Sequence, residues 1–393
     1  MRHLKPGVVP VGAVDWDRRL FDELIPLPDG TSYNAYIVKG SEKVALIDSV
    51  DPVKADVLID NLVKAGVSKL DYIIAHHAEQ DHSGAITDML MLYPESKVVT
   101  SEKCKAMLID LLDIEDDRFI TIEDGQTMSL GDKTLQFIFT PWVHWPETLC
   151  SYLQEDKILF SCDFFGSHLA TTDLFVEDEP LVLRSAKRYY AEIMMPFRLP
   201  IKKNLEKIKD LEIDMIAPSH GPVYKNPSLI VDAYRQWTSD EVANEVVLAY
   251  VSMHDSTRKM AEYLLEALVE RGIKVQLFNI TETDIGELAM ALVDAATLVI
   301  GSPTVLTGPH PKAAYAVMLA NLLRPKTKFV SIIGSFGWAG KMVAQLEALI
   351  PNIKAEILEP VLTRGCPGND DLAALETLAD AILAKHKELE IMD

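Results

Sequence analysis

Two rhythms of apolar and polar residues divide the chain. Up to residue 243, short apolar runs each end in polar or charged residues: KVALIDSV (43–50), LDYIIAHH (70–77), SKVVTSE (96–102), LQFIFTPW (135–142), KILFSCDFF (157–165) and DMIAPSHG (214–221). Runs of this length bounded by polar clusters predict strands. Asp29-Gly30 marks a turn ahead of another such run, TSYNAY. Between them, VKADVLIDNLVKAG (53–66) has helical spacing and ends at Gly66, the residue type that closes a helix in the left-handed conformation. This half reads as mixed α/β, with the polar chemistry carried at strand ends.

From residue 244 the rhythm becomes a regular alternation. Strands are predicted over 245–253, 274–280, 297–304, 328–336 and 355–364, and helices over 256–272, 285–295, 312–323, 341–350 and 371–389. Five strands alternating with five helices form a doubly wound parallel sheet of flavodoxin size. The expected domains are therefore 1–243 and 244–393, joined by a short tether within WTSDEVANEV (237–246), which holds neither Gly nor Pro.

Composition narrows the classes. Of 393 residues 48% are hydrophobic, enough for a sizeable core, and the net charge of −21 argues against nucleic acid or an anionic membrane as partner. The most apolar long stretch (288–306) is interrupted by Asp294 and Pro303, so it reads as helix, turn and buried strand rather than a membrane span. The start of the chain shows no apolar signal segment. The four cysteines form no C-x-x-C pair, which excludes a zinc ribbon or rubredoxin-type iron site among these residues. They read as reduced thiols, and the expected location is cytoplasmic.

The stretch AHHAEQDHSG (75–84) puts three histidines, a Glu and an Asp within seven residues just past an apolar strand. His77, Glu79, Asp81 and His82 can converge on one point, and imidazole with carboxylate is a ligand set for zinc, iron or manganese. Alone, such a turn is equally a polar loop. Three further strand ends carry His144, Asp163 and His220. A lone histidine is more often a satisfied core or surface residue, but an ordered set at several strand ends fits one site at one edge of a sheet.

In the second half, Ser252, Ser256 and Thr257 lie between the first strand and its helix, where hydroxyls and helix N–H groups can cradle a phosphate. Ser and Thr there also serve simply as helix caps. Two later strand ends, GSPTVLTG (301–308) and GSFGWAG (334–340), stand where this fold binds FMN. The flavin site expected from the three loops is Ser252, Met253, His254, Ser256 and Thr257; Pro303, Thr304, Val305 and Leu306; and Ser335, Phe336, Gly337, Trp338, Ala339 and Gly340. Trp338 offers a flat face to a flavin ring, against the plainer reading of a core anchor. No G-x-G-x-x-G supports direct NAD binding.

The pattern H-x-E-x-D-H followed by H, D and H at strand ends resembles the metallo-β-lactamase-like fold, in an αββα sandwich. Zinc hydrolases of that fold usually carry His where this chain has Glu79. With the flavodoxin-like half and the local motifs GTSYNAY, HWPE, SCDFFG and PSHG, the whole chain resembles the flavodiiron proteins (type A flavoproteins). The resemblance implies a non-haem diiron centre: His77, Glu79 and His144 on one iron, Asp81, His82 and His220 on the other, and Asp163 bridging. His82 is the ligand that in some relatives turns away, leaving water in its place. Trp145 and Glu147 are expected to orient ligands, with packing and ordinary solvation as the alternatives; Tyr190 and His168 are expected near the gas pocket.

The resemblance further implies a gas reductase that passes electrons from an external donor through FMN to the irons, reducing dioxygen to water or nitric oxide to nitrous oxide. The donor would be rubredoxin or a reduced deazaflavin coenzyme, and the assembly a head-to-tail homodimer or a dimer of dimers. Three departures stand out: Asp22 and Glu23 where many relatives have a His nearby, His254 for Trp or Tyr, and Leu306 for Asn. Two other readings remain open here: a dizinc hydrolase with an accessory flavodoxin domain, and an electron carrier whose lactamase-like half serves only for docking.

Overall fold

The computed structural model describes residues 2–338 and 340–392. They form two compact units. The first comprises the chain up to Tyr189 with Phe197–Thr238, and the second comprises Tyr190–Pro196 with the chain from Ser239. The division thus falls slightly before the expected residue 243, and the short 190–196 segment goes with the second unit.

In the first unit, two sheets stack. A six-stranded sheet runs in the order Val8–Pro10, Tyr36–Lys39, Val44–Ile47, Tyr72–Ile74, Lys97–Ser101, Phe119–Ile122. A five-stranded sheet runs Thr127–Ser129, Thr134–Phe139, Leu149–Leu153, Ile158–Cys162, Met215–Pro218. Side chains alternate across a strand, so each strand of the first sheet feeds two cores. The aligned row Leu46, Ile73 and Val98 packs with Leu58, Leu62, Met89 and Leu108 of the helices Ala55–Lys64, Ile86–Leu92 and Glu102–Leu112. The next row, Ile47, Ile74 and Val99, packs between the sheets with Leu135, Phe137, Leu149 and Phe160. The predicted end of the first helix holds: the chain turns at Gly66 with φ +62°.

The second unit is a parallel sheet in the order Lys274–Asn279, Ala243–Tyr250, Ala295–Val305, Phe329–Phe336, with Glu356–Ile357 and Val361–Arg364 on the last edge. This is the 2-1-3-4-5 order for which flavodoxin is the standard example. Val247, Leu298 and Val330 share one register row and face the helices Ile285–Leu292, Pro311–Leu323 and Met342–Glu347. Val246, Leu248, Val299 and Ile333 face the helices Ser256–Glu270 and Asn369–Glu388. The last strand, expected whole over 355–364, is broken in the middle, where Pro360 has no N–H to give the ladder. The strand at 297–304 instead runs on into a hairpin that returns through Gly308–Pro309.

Candidate metal centre

Strand direction gathers the site. The parallel strands Val44–Ile47 and Tyr72–Ile74 end side by side at Asp48 and at the loop bearing His76 and His77. In the facing sheet, Cys162 is in register with Pro218, so Asp163 and His220 leave adjacent parallel strands together. His144 comes from the loop between Thr134–Phe139 and Leu149–Leu153. The short helix Gln80–Ser83 then carries Asp81 and His82 back beneath the loop.

All seven expected metal ligands converge. Glu79 Oε2 lies 3.0 Å from both His77 Nε2 and His144 Nε2. On the other side, His82 Nε2 and His220 Nε2 lie 3.3 and 3.2 Å from oxygens of Asp81. Asp163 stands between the groups. Its Oδ2 is 3.5 and 3.7 Å from His77 and His144, and its Oδ1 is 2.9 and 3.3 Å from His82 and His220. Only His144 and Glu79 retain appreciable exposure, 16% and 14% of the side chain. The centre is otherwise sealed.

Glu79 Oε2 is hydrogen-bonded to both His77 and His144, but the atoms around Asp81 and Asp163 do not satisfy each other. Both oxygens of Asp81, both of Asp163 and Nε2 of His82 are buried without a properly aligned hydrogen bond, despite the short separations. Buried polar groups are normally hydrogen-bonded, so lone pairs aimed at shared points rather than at one another fit cations. The electrostatics agree. Burial opposes charge throughout, yet the Asp163 and Asp81 carboxylates raise His220 to about 10, and Glu147 and Glu79 hold His77 well above its ordinary value. Asp163 is held well below the carboxylate range against burial, by His82 and His220. The pocket demands positive charge, which two metal cations would supply in place of protons. Three carboxylates with imidazoles make a hard donor set that suits iron.

The surrounding residues set ligand orientation. His77 Nδ1 is 2.6 Å from Glu147 Oε1, which also accepts from the Ala78 N–H, and the Trp145 ring meets His77 edge-on at 4.9 Å. His220 Nδ1 donates to the Ser32 carbonyl at 2.7 Å. His168 is buried 4.8 Å, centroid to centroid, from His220, with Nδ1 2.8 Å from Thr31 Oγ1 and Nε2 without a hydrogen bond. Burial and the neighbouring His220 keep it neutral, well below its ordinary range.

Tyr190 is the other residue expected near the gas pocket. It is fully buried in a π-helical turn and groups with the second unit. Tyr189, one residue earlier and so rotated by about 100° on the helix, is the tyrosine against His220 and His168, at 5.7 and 4.8 Å. Burial and Asp163 keep its hydroxyl protonated. Thr31 and Ser32 were also missed as partners, although both lie in the GTSYNAY motif. Asp48 was missed too, although it is a strand-end acid like Asp163. Asp22 feels Glu79 and Asp81: burial first, then those two charges, raises its carboxyl.

In the second unit, a cavity of about 280 Å³ is lined by Ser252, Met253, His254, Ser256, Thr257, Pro303, Thr304, Ser335, Phe336 and Gly337, together with Gly365 and Cys366. The helix starting at Ser256 has no side-chain cap from Asp255, which sits at φ +65°. Ser252 Oγ takes the Arg258 N–H of the helix's first turn, which leaves the N–H groups of Ser256 and Thr257, both at the cavity wall, for a phosphate. FMN fits this cradle.

Four expected flavin residues do not line the cavity. Val305 and Leu306 run out along the hairpin, with Leu306 92% exposed at its tip. Gly340 lies against Thr304, on the wall of a neighbouring cavity. Trp338 stands in the loop after the fourth strand, 76% exposed rather than anchored in the core. Ala339 lies outside the described residues. Gly365 and Cys366, directly after the fifth strand, were not anticipated, although the strand ends at Arg364 as expected.

Comparison with known proteins follows the same division. The family model described as ODP family beta lactamase matches residues 31–221, and the flavodoxin model matches 248–377. A nitric oxide reductase of Moorella thermoacetica is 34% identical, over 96% of this chain and 97% of its own. A coenzyme F420H2 oxidase of Methanothermobacter marburgensis is 32% identical, over 95% of each. The solved rubredoxin oxygen:oxidoreductase of Desulfovibrio gigas superposes with a TM-score of 0.95 at 29% identity, over 98% of each chain. With the lactamase-like ligand set and the flavodoxin-like cradle in one polypeptide, the chain belongs to the flavodiiron family, the type A flavoproteins.

Proposed function

We propose that this protein is a flavodiiron gas reductase, reducing dioxygen to water or nitric oxide to nitrous oxide with electrons from an external donor. The observation that carries this reading is Asp163, whose two oxygens face the two ligand groups separately. When bound, two adjacent irons would supply two electrons together, enough to couple two nitric oxide molecules into nitrous oxide and water or half of the four that take dioxygen to water, and FMN would relay electrons from the donor.

The chain's own residues prepare that chemistry. His77, Glu79, His144 and Asp163 would hold one iron, and Asp81, His82, His220 and Asp163 the other. Glu147 and the Ser32 carbonyl keep the Nδ1 protons of His77 and His220 in place, leaving each Nε2 for metal. Tyr189 keeps its proton and, with neutral His168, lines the wall beyond His220, where a hydroxyl can donate to the reacting gas. Burial of all but one edge excludes bulk water. A dizinc hydrolase gains nothing from the flavin cradle, and a pure electron carrier has no use for an intact ligand set.

The donor is either rubredoxin, as in the name of the Desulfovibrio relative, or a reduced deazaflavin, as in that of the Methanothermobacter relative. The working assembly is a cytoplasmic head-to-tail homodimer or a dimer of such dimers. Among the described residues no helix is long and apolar enough to cross a membrane. Metal and flavin analysis followed by anaerobic assays with oxygen, nitric oxide and each donor tests the reading. Iron with FMN and gas consumption is the expected result; zinc without iron in iron-replete cells would overturn it.

A further inference from the structure

The loop that carries four ligands is clipped at both ends by two consecutive residues. Asp48 follows its strand at φ +53° and turns its carboxylate onto the loop's start: Oδ1 accepts the His76 N–H at 2.9 Å, and Oδ2 lies 2.7 Å from His76 Nδ1. Ser49 holds the loop's end, because both its N–H and its hydroxyl donate to the His82 carbonyl at 2.7 Å. His76 is locked from its far side by Ser151 Oγ at 2.7 Å. The order Ser151–His76–Asp48 is that of a nucleophilic relay. However, all three residues are at most 2% exposed, so no substrate reaches the serine.

We infer that Asp48 and Ser49 are positioning residues that preset the two halves of the metal centre independently. The argument is geometric and rests on the dimetal reading above. The clipped loop begins with His77 and Glu79, which belong to one metal, and ends with Asp81 and His82, which belong to the other. Asp48 fixes the first pair through His76, with only a longer contact, 3.4 Å from Ser219 Oγ, reaching the neighbour of His220, and Ser49 fixes the second through the His82 backbone. A non-glycine residue seldom adopts the left-handed region, and here that conformation aims the Asp48 carboxylate at the loop. Partners of this kind, one step removed from the metal, typically change affinity 10–100-fold when lost.

The test uses the full chain with FMN bound, stripped of iron and titrated with Co²⁺ while its visible absorption is followed. Variants Glu79→Ala and Asp81→Ala identify which bands belong to which half. Asp48→Ala is expected to weaken the Glu79-marked half about 10–100-fold and to leave the other within about threefold. Ser49→Ala is expected to weaken the Asp81-marked half, by less because its N–H remains. Asp48→Asn should restore most of the loss, since an amide can accept the His76 N–H and donate to Nδ1 once the imidazole changes tautomer. Wild-type titration by Asp48→Ala, or equal loss in both halves for Asp48→Ala and Asp48→Asn alike, would overturn the inference. If Asp48→Ala does not fold, the half-selectivity of Ser49→Ala decides it. Failure of the wild-type chain to bind Co²⁺ or iron would instead overturn the dimetal reading.

Discussion

Glu147 Oε1 sits 2.6 Å from His77 Nδ1, and neither side chain reaches solvent. A buried carboxylate at that distance accepts the hydrogen bond of the Nδ1–H, which leaves Nε2 as the metal-facing nitrogen. The second oxygen of Glu147 has no hydrogen bond, so its tie to the loop is this contact and the Ala78 N–H. Glu147→Gln keeps the shape but removes the charge that makes His77 a strong donor. Iron affinity at that half should fall about 10–100-fold, read by metal competition against a chelator, with FMN content unchanged.

Asp163 contacts both ligand groups, so its loss should not resemble the loss of an ordinary ligand. Asp163→Ala is expected to abolish the paired-iron spectroscopic signature and gas turnover while FMN stays bound. Glu79→Ala should remove mainly the iron held with His77 and His144. Normal turnover by iron-depleted Asp163→Ala protein would refute the diiron assignment.

The flavin cradle separates cleanly from the metal chemistry. Ser252 Oγ accepts from the Arg258 N–H at 3.2 Å, and Thr257 Oγ1 pairs with Ser335 Oγ at 3.1 Å, so both hydroxyls are already set at the cavity wall. A hydrogen bond to a charged phosphate contributes about 1.5–3 kcal/mol. Ser252→Ala and Thr257→Ala should each weaken FMN binding by about tenfold or more, measured by fluorescence of released flavin, while iron content holds.

His386 gives the second unit an acid sensitivity. It is fully buried, with Nε2 2.8 Å from Thr297 Oγ1 and Nδ1 2.8 Å from Asn244 Oδ1, and burial lowers its pKa to about 4. The unfolded chain takes up a proton near pH 6.5, and the folded chain does not until about pH 4. The contribution is therefore complete above pH 6.5 and is lost as pH falls towards 4, by about 3 kcal/mol in all. His386→Gln should flatten the pH dependence of melting followed by flavin release. An identical slope in the variant would assign the acid sensitivity to other groups.

Much was legible from periodicity and strand ends. The alternating second half specified its own parallel sheet, because each apolar run is buried on both faces and each helix must cover one of them. The metal residues stood out because a polar group just past a buried strand has one edge to go to. What the sequence by itself determined was therefore which elements form and which strand ends carry ligand chemistry. Register and rotation were left to the tertiary structure. Whether Tyr189 or Tyr190 faces His220 depends on about 100° of helix rotation, which local spacing does not set. That Asp163 meets both ligand groups depends on two parallel strands aligning Cys162 with Pro218. That Asp48 and Ser49 hold the two ends of one loop depends on contacts between residues 28 and 33 positions apart. Such contacts form only when strands distant in sequence pair side by side, and no local pattern records them.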